Sequence, residues 1–272
     1  MNPGRVTMEK KLYHLPGYYD LAFSYDASGE INFFSECFKR YTDFEMRRIL
    51  KPACGSGRLL IPLAQFGYYV VGYDISEEMV AYTRDKIAVA GLSHRAEVVL
   101  GDMRTARFKD TFDAAINLIN TIGYLISDED ILNHFRAISY SLRTGGIYIV
   151  ELSCANEKLS NEERPDDTWI AERDGIKIQT TWHTERYDLA NKRKYNLCKM
   201  KIEDEKENRR FMFIEPHIMR LWFFEDFKLL SRAGGFTLRA IYNQNFEPVP
   251  LNSHICGDLG NLYFILKKEA EA

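Results

Sequence analysis

Residues Lys51-Pro52-Ala53-Cys54-Gly55-Ser56-Gly57-Arg58 set two glycines one residue apart, between the apolar pair Ile49-Leu50 and a helical pattern through Leu59, Leu60, Leu63 and Ala64. Glycine lets the backbone turn tightly and approach a ligand, and a helix starting just beyond it offers free N–H groups and the positive end of its dipole. That chemistry suits a nucleotide-like cofactor. Downstream, the β-rich run 69–74 ends in Asp74, about where a ribose-binding acid follows the glycine turn in nucleotide-binding sheets. Its carboxylate can accept hydrogen bonds from both ribose hydroxyls. Two more apolar runs, 97–100 and 112–118, lead into Gly101-Asp102-Met103 and into residues 117–120, so polar or small residues recur at successive strand ends.

Elements that could position these residues are written in the periodicity. Ile31, Phe34, Phe38 and Tyr41 are spaced three and four apart, which predicts an amphipathic helix within 30–48 that leads into the first strand. Ser76 before Glu77-Glu78, and Ser127 before Asp128-Glu129-Asp130, are hydroxyl caps followed by first-turn acids, each predicting a helix start. The second of these helices runs 131–142 and ends before Gly145-Gly146, and a fifth strand follows at 147–152. Strands alternating with helices imply a parallel sheet covered on both faces, with ligands beyond the strands' carboxyl ends. Asp74, Asp102, residues 117–120 and Glu151 all fall at those ends.

From about 153 to 220 the pattern changes to four antiparallel strands. Asp174-Gly175 predicts a hairpin turn between 168–172 and 176–183, and Cys198, Met200 and Ile202 alternate with Leu197, Lys199 and Lys201 as in a half-buried strand. The charged run 203–210 predicts a turn before 211–214. A helix at 224–232, closed by Gly234-Gly235, then precedes two final strands at 236–242 and 261–266.

Taken together, these residues resemble the class I S-adenosylmethionine (SAM)-dependent methyltransferases, in the small-molecule branch with an inserted β subdomain. The resemblance implies an α/β fold: a Rossmann-like seven-stranded methyltransferase sheet with an inserted antiparallel β subdomain. It divides the chain into an N-terminal helical cap (1–48), a SAM-binding core (49–152 and 221–268) and an inserted lid or substrate subdomain (153–220). In the family's glycine motif, acidic-x-Gly-x-Gly-x-Gly, positions 51, 53, 55 and 57 here hold Lys, Ala, Gly and Gly. Lys51 therefore replaces an acid that usually organises the methionine amino group. The implied cofactor is SAM, with Ala53, Gly55 and Gly57 in the glycine loop, Asp74 on the ribose, and Ile75, Met79, Asp102 and Met103 around the adenine. Leu118 joins this cofactor set, and Arg58 could approach the methionine carboxylate. Tyr18-Tyr19-Asp20 resembles an N-terminal motif whose tyrosine lies near the transferred methyl group, which makes Tyr19 a catalytic candidate. His217, near the end of the insert, is a second, and Asn120 and Tyr124 are candidate substrate-binding walls. The last two strands match the family's antiparallel hairpin, where a Rossmann dehydrogenase would continue with parallel units.

Composition narrows the partners. The 272 residues are 46% hydrophobic and 28% charged, with a net charge of −3, the profile of an ordinary globular chain without the basic footprint of a nucleic-acid or anionic-membrane binder. Five cysteines (37, 54, 154, 198, 256), odd in number and without a C-x-x-C pair, suggest neither a disulfide framework nor a zinc site, and six histidines show no metal-ligand spacing. No metal is expected. No apolar run reaches the roughly 18–20 residues of a membrane span, and the start of the chain lacks a signal peptide's apolar core, so a cytoplasmic location is expected. The function the resemblance implies is methyl transfer to a small-molecule acceptor by in-line displacement without metal, an amine nitrogen being favoured because the insert resembles that of small-molecule N-methyltransferases; a hydroxyl oxygen would more strongly need a general base, and no marked pair stands in the sequence. A protein or nucleic-acid methyltransferase is an alternative, opposed by the missing (Asp/Asn)-Pro-Pro-aromatic motif at 117–124. A noncatalytic SAM-fold binding or scaffold module is another, kept open by Lys51. Exposed insert strands would favour a homodimer.

Overall fold

The computed structural model describes residues 12–109, 112–155, 159, 166–251 and 260–269. Residues 1–11, His254, Cys256 and the last three residues lie outside them. The main sheet contains β1 (Arg48–Pro52), β2 (Tyr69–Asp74), β3 (Ala96–Leu100), β4 (Phe112–Asn117), β5 (Leu142–Ser153), β10 (Phe236–Tyr242), β11 (Pro248–Val249) and β12 (Asn261–Lys268). Their order is β3-β2-β1-β4-β5-β12-β10-β11. The first five strands pair in parallel, and β12 enters antiparallel between β5 and β10. Chain order reverses between β1 and β4, the switch point beyond which such sheets bind ligands.

The period-two alternation of each strand decides the two cores. Ile49 of β1, Ala114 and Ile116 of β4 and Ile147 and Ile149 of β5 face α2 (Ser28–Tyr41), α3 (Leu60–Phe66) and α4 (Glu77–Val89). Leu50, Ala115, Tyr148 and Val150 face the other way, onto α5 (Asp128–Ser141) and α6 (Phe224–Ala233). Ser76 and Ser127 cap α4 and α5, accepting the N–H groups of Met79 and Asp130 at 3.2 and 3.1 Å.

Three details differ from the sequence reading. The sheet has eight strands rather than seven, because the two-residue β11 adds an outer edge; a pair of residues that includes Pro248 carries no periodic signal. Strand β5 begins at Leu142, and Gly145-Gly146 lies inside it, where the register against β4 shifts between the Phe112–Leu142 and Ala114–Ile147 pairs. The glycines make a bulge there instead of a stop. Helix α3 starts only at Leu60 and has seven residues, so the turn backbone, not a helix end, forms the cradle at 53–57.

The insert is a separate four-stranded antiparallel sheet in the order β6-β7-β8-β9: β6 (Asp167–Arg173), β7 (Ile176–Asp188), β8 (Arg193–Asp204) and β9 (Arg209–Arg220). Asp174 and Gly175 both have positive φ, 53° and 77°, as a two-residue hairpin turn requires. Its neck is closed where Cys154 bridges Trp222 and the Ala155 N–H donates to the Trp222 carbonyl at 2.7 Å. Ile178, Cys198, Met200, Ile202 and Phe213 form a third core with Leu12, Leu21 and Ala22, so α1 (Pro16–Phe23) is held between the insert and the main sheet.

Candidate functional site

A cavity of about 1510 Å³ opens beyond the carboxyl ends of β1, β2 and β4, between the main sheet, α1 and the insert. Sites for a single small molecule usually measure roughly 300–1,000 Å³, so this one has room for a cofactor and a second molecule. Its inner wall is the glycine turn. The Gly55 N–H donates to Asp74 Oδ2 at 2.8 Å and the Ser76 N–H to Oδ1 at 3.0 Å. A carboxylate has about four acceptor positions, so Asp74 is fixed by two and keeps two for a diol.

Backbone conformation explains the residue types of the turn. Gly55 and Gly57 have φ of +54° and +78°. A Cβ on Gly57 would stand 2.7 Å from Thr83 Cγ2, and the Thr83 hydroxyl donates to the Gly55 carbonyl at 2.8 Å, which interlocks the turn with α4. Ala53 also has a left-handed φ, 45°, that a side chain resists. Ala53→Gly should therefore stabilise the protein, by about 0.5–1 kcal/mol in urea unfolding; a loss of stability would show that this turn carries no strain.

The structure brings most of the sequence candidates together. Tyr19, Ala53, Gly55, Arg58, Asp74, Ile75, Asp102, Met103, Leu118, Asn120 and Tyr124 line the one cavity. Asp102 receives the Arg104 backbone N–H at 2.8 Å and its guanidinium, so its carboxylate is held well below the usual range by that bond. Tyr19 stacks on Phe23 at 4.6 Å and packs beside Gly55, and burial raises its phenol. Its neighbours in the motif tie down α1: the Tyr18 hydroxyl donates to Asp204 of the insert at 2.7 Å, and Asp20 accepts from Lys86 of α4 at 2.7 Å.

Other candidates are placed differently. Met79 is fully buried on the inner face of α4, away from the cavity wall. Gly57 acts from behind the wall, through Thr83. Arg58 is taken by Glu30 of α2, in a two-pronged ion pair of 2.5 and 3.0 Å among side chains only 10% and 8% exposed. Asn120 is a structural lock: its Oδ1 accepts the Ser153 N–H at 2.7 Å and its Nδ2 donates to Asn261, which in turn donates to Glu151 at 2.7 Å. His217 lies behind the wall. Its Nδ1 is 2.9 Å from the Tyr124 hydroxyl, to which the Tyr13 hydroxyl donates at 2.9 Å, and Trp182 stacks on its ring at 4.9 Å. Burial pushes the imidazole's pKa down, and the Nε2 is buried without a partner.

Several wall residues gave no sequence signal. Tyr13, Trp169, Trp182 and Arg220 reach the cavity from the chain start and the insert. His134, behind the wall, also gave none: fully buried, it meets the Met103 carbonyl through Nδ1 and the Tyr148 hydroxyl through Nε2, each at 2.7 Å, and so fixes the loop after β3. Desolvation lowers its pKa to about 4, so it stays neutral.

The geometry is matched by likeness to known proteins. Residues 49–146 match a family model described as a methyltransferase domain. Over that segment, which holds the glycine turn, Asp74 and Asp102, the chain carries a methyltransferase domain similar to those of SAM-dependent methyltransferases. Among curated methyltransferases it is 31% identical over 133 residues to YqeM of Bacillus subtilis (strain 168), which carries a provisional methyltransferase name, and the match covers 48% of this chain. The chain spans about half the length of that relative, 52%. It is 24% identical over 195 residues to the dTDP-3-amino-3,4,6-trideoxy-alpha-D-glucopyranose N,N-dimethyltransferase of Streptomyces venezuelae, over 70% of this chain and 76% of that one. The solved sugar N-methyltransferase KedS8 from Streptoalloteichus sp ATCC 53650 superposes with a TM-score of 0.74 at 17% identity, over 99% of both chains. At that identity the superposition establishes the methyltransferase fold.

Proposed function

We propose that this chain transfers a methyl group from SAM to an amine nitrogen of a small molecule. The observation that carries the reading is that one cavity is lined both by the Gly55–Asp74 cradle and by Tyr13 and Tyr124, whose hydrogen-bond chain continues to His217 behind the wall. The cradle fits the cofactor: Asp74 would take the ribose hydroxyls, Asp102 and Met103 the adenine edge, and Ile75 and Leu118 its faces. Bound there, SAM would supply an already activated methyl electrophile. A chain working with it has three tasks: to orient the acceptor, exclude water and accept a proton. Trp169 and Trp182 of the insert and Tyr19 and Phe23 of α1 roof the cavity and exclude water. The insert from 153 to 220 thus serves as lid and substrate wall. An amine that enters as ammonium must shed a proton, which the Tyr124 hydroxyl can take up while passing its own to His217 Nδ1. The amino-sugar and sugar N-methyltransferases similar to this chain support a nitrogen acceptor, by their names.

The test is methyl transfer to a panel of small amines and alcohols, with His217→Phe as the decisive variant. Because burial keeps His217 neutral, its proton-accepting form persists below the ordinary histidine pKa of about 6.5, and kcat should fall only below that pH. His217→Phe should lower kcat by about tenfold to a hundredfold, flatten that acid limb and leave affinity for S-adenosylhomocysteine (SAH) within about twofold. An unchanged acid limb would remove His217 from the proton path.

A further inference from the structure

Lys51 is a buried cation with no anion beside it. It stands at the end of β1, is 6% exposed, and reaches the cavity wall. Its ammonium donates only to backbone carbonyls, of Pro52 at 3.0 Å and Ala53 at 3.5 Å, and no carboxylate among the described residues comes within ion-pairing distance of it. Glu30 of α2, an acid whose charge acts on Lys51, has both oxygens engaged by Arg58. Asp74 is held by the backbone of the turn, one N–H on each oxygen, and makes no ion pair with Lys51. A buried charge without a partner is costly, and an ammonium has three protons to place. An anion entering the cavity would supply the partner that the protein itself does not place beside it.

We propose that Lys51 receives the carboxylate of the cofactor's methionine tail, so that this site reads the tail by its anionic end. An acid at position 51 would instead select the tail's ammonium. The proposal rests on the SAM reading above. Arg58 is a second cation beside the glycine turn, but its pairing with Glu30 and its stacking over Tyr25 at 4.1 Å leave it a fixed part of the scaffold. Lys51 is thus the group free to respond to a ligand.

Desolvation lowers the pKa of Lys51 to about 8. Around it stand Arg58, which lowers it further, and Asp74, Glu30 and Cys54, which raise it, the Cys54 thiol being kept neutral by burial. A bound carboxylate favours the protonated amine, so affinity should decline as pH rises through about 8.

The test is calorimetric titration with SAH, with the adenosyl aminopropyl thioether, which lacks only the carboxylate, and with the adenosyl carboxypropyl thioether, which lacks only the amine. Loss of the carboxylate should weaken binding by about tenfold or more, and loss of the amine by less than about threefold. In Lys51→Met the carboxylate should make less than about a threefold difference and the fall in SAH affinity above pH 8 should vanish. Lys51→Arg, which keeps the charge, should retain the preference and covers the case in which the methionine variant fails to fold. Equal binding of the two thioethers by the unmodified protein, or a carboxylate preference that survives in Lys51→Met, overturns the proposal. Absence of SAH binding to the unmodified protein would instead defeat the cofactor reading, and this inference with it.

Discussion

Asp74→Ala should weaken SAH binding by about a hundredfold or more in a calorimetric titration, the largest loss expected from any single side chain here. Two effects add. The ribose would lose two hydrogen bonds to a charged acceptor, each worth about 1.5–3 kcal/mol. The glycine turn would also lose its anchor, since Asp74 holds the Gly55 N–H at 2.8 Å and the Ser76 N–H at 3.0 Å. Stability should fall with affinity, because those N–H groups would be left without a protein acceptor. Asp74→Asn keeps an acceptor oxygen and should lose affinity less steeply. Binding by the alanine variant within about threefold of the unmodified protein would remove Asp74 from the ribose.

Gly57→Ala is expected to damage both the fold and the site. The new methyl would stand 2.7 Å from Thr83 Cγ2, in a backbone conformation with φ of +78°. Thr83 is fully buried and its hydroxyl holds the Gly55 carbonyl at 2.8 Å, so it cannot yield without releasing the turn. Overpacking at about 1–3 kcal/mol and the left-handed strain at about 1–2 kcal/mol together predict a loss of roughly 2–5 kcal/mol in unfolding. Adding Thr83→Ser removes the obstructing methyl while keeping the hydroxyl. That double variant should recover part of the stability and most of the turn's geometry, read as SAH affinity. A single variant that loses less than about 0.5 kcal/mol would mean that the turn and α4 are not interlocked in this way.

The contrast between these two positions and His217 shows what local sequence can carry. The glycine turn, Asp74 and the hydroxyl caps were legible because each depends on residues a few positions apart, in patterns imposed by backbone sterics and strand periodicity. The Asp174-Gly175 turn and the alternation of Cys198, Met200 and Ile202 made the insert legible on the same ground. The wall opposite the cradle was not, since it is assembled across the fold. Tyr13 meets Tyr124, and Tyr124 meets His217, across separations of 111 and 93 residues. The Arg58 pairing with Glu30 joins a loop to a helix of the cap, and no spacing announces it. Met79, placed near the adenine by the resemblance, is fully buried and does not line the cavity, a burial that its position in the sequence does not announce. Lys51 was visible as a departure from the motif, but its burial among carbonyls, which gives the departure a chemical meaning, belongs to the folded chain.

The central claim is that the cavity beyond β1, β2 and β4 is a SAM site, and one titration tests it most directly. Ligand-free protein titrated with SAM, SAH and NAD should bind the first two with comparable affinity and give no heat with NAD. It should also gain thermal stability with the first two in proportion to their occupancy. Failure to bind either SAM or SAH, or preferential binding of NAD, would contradict the account.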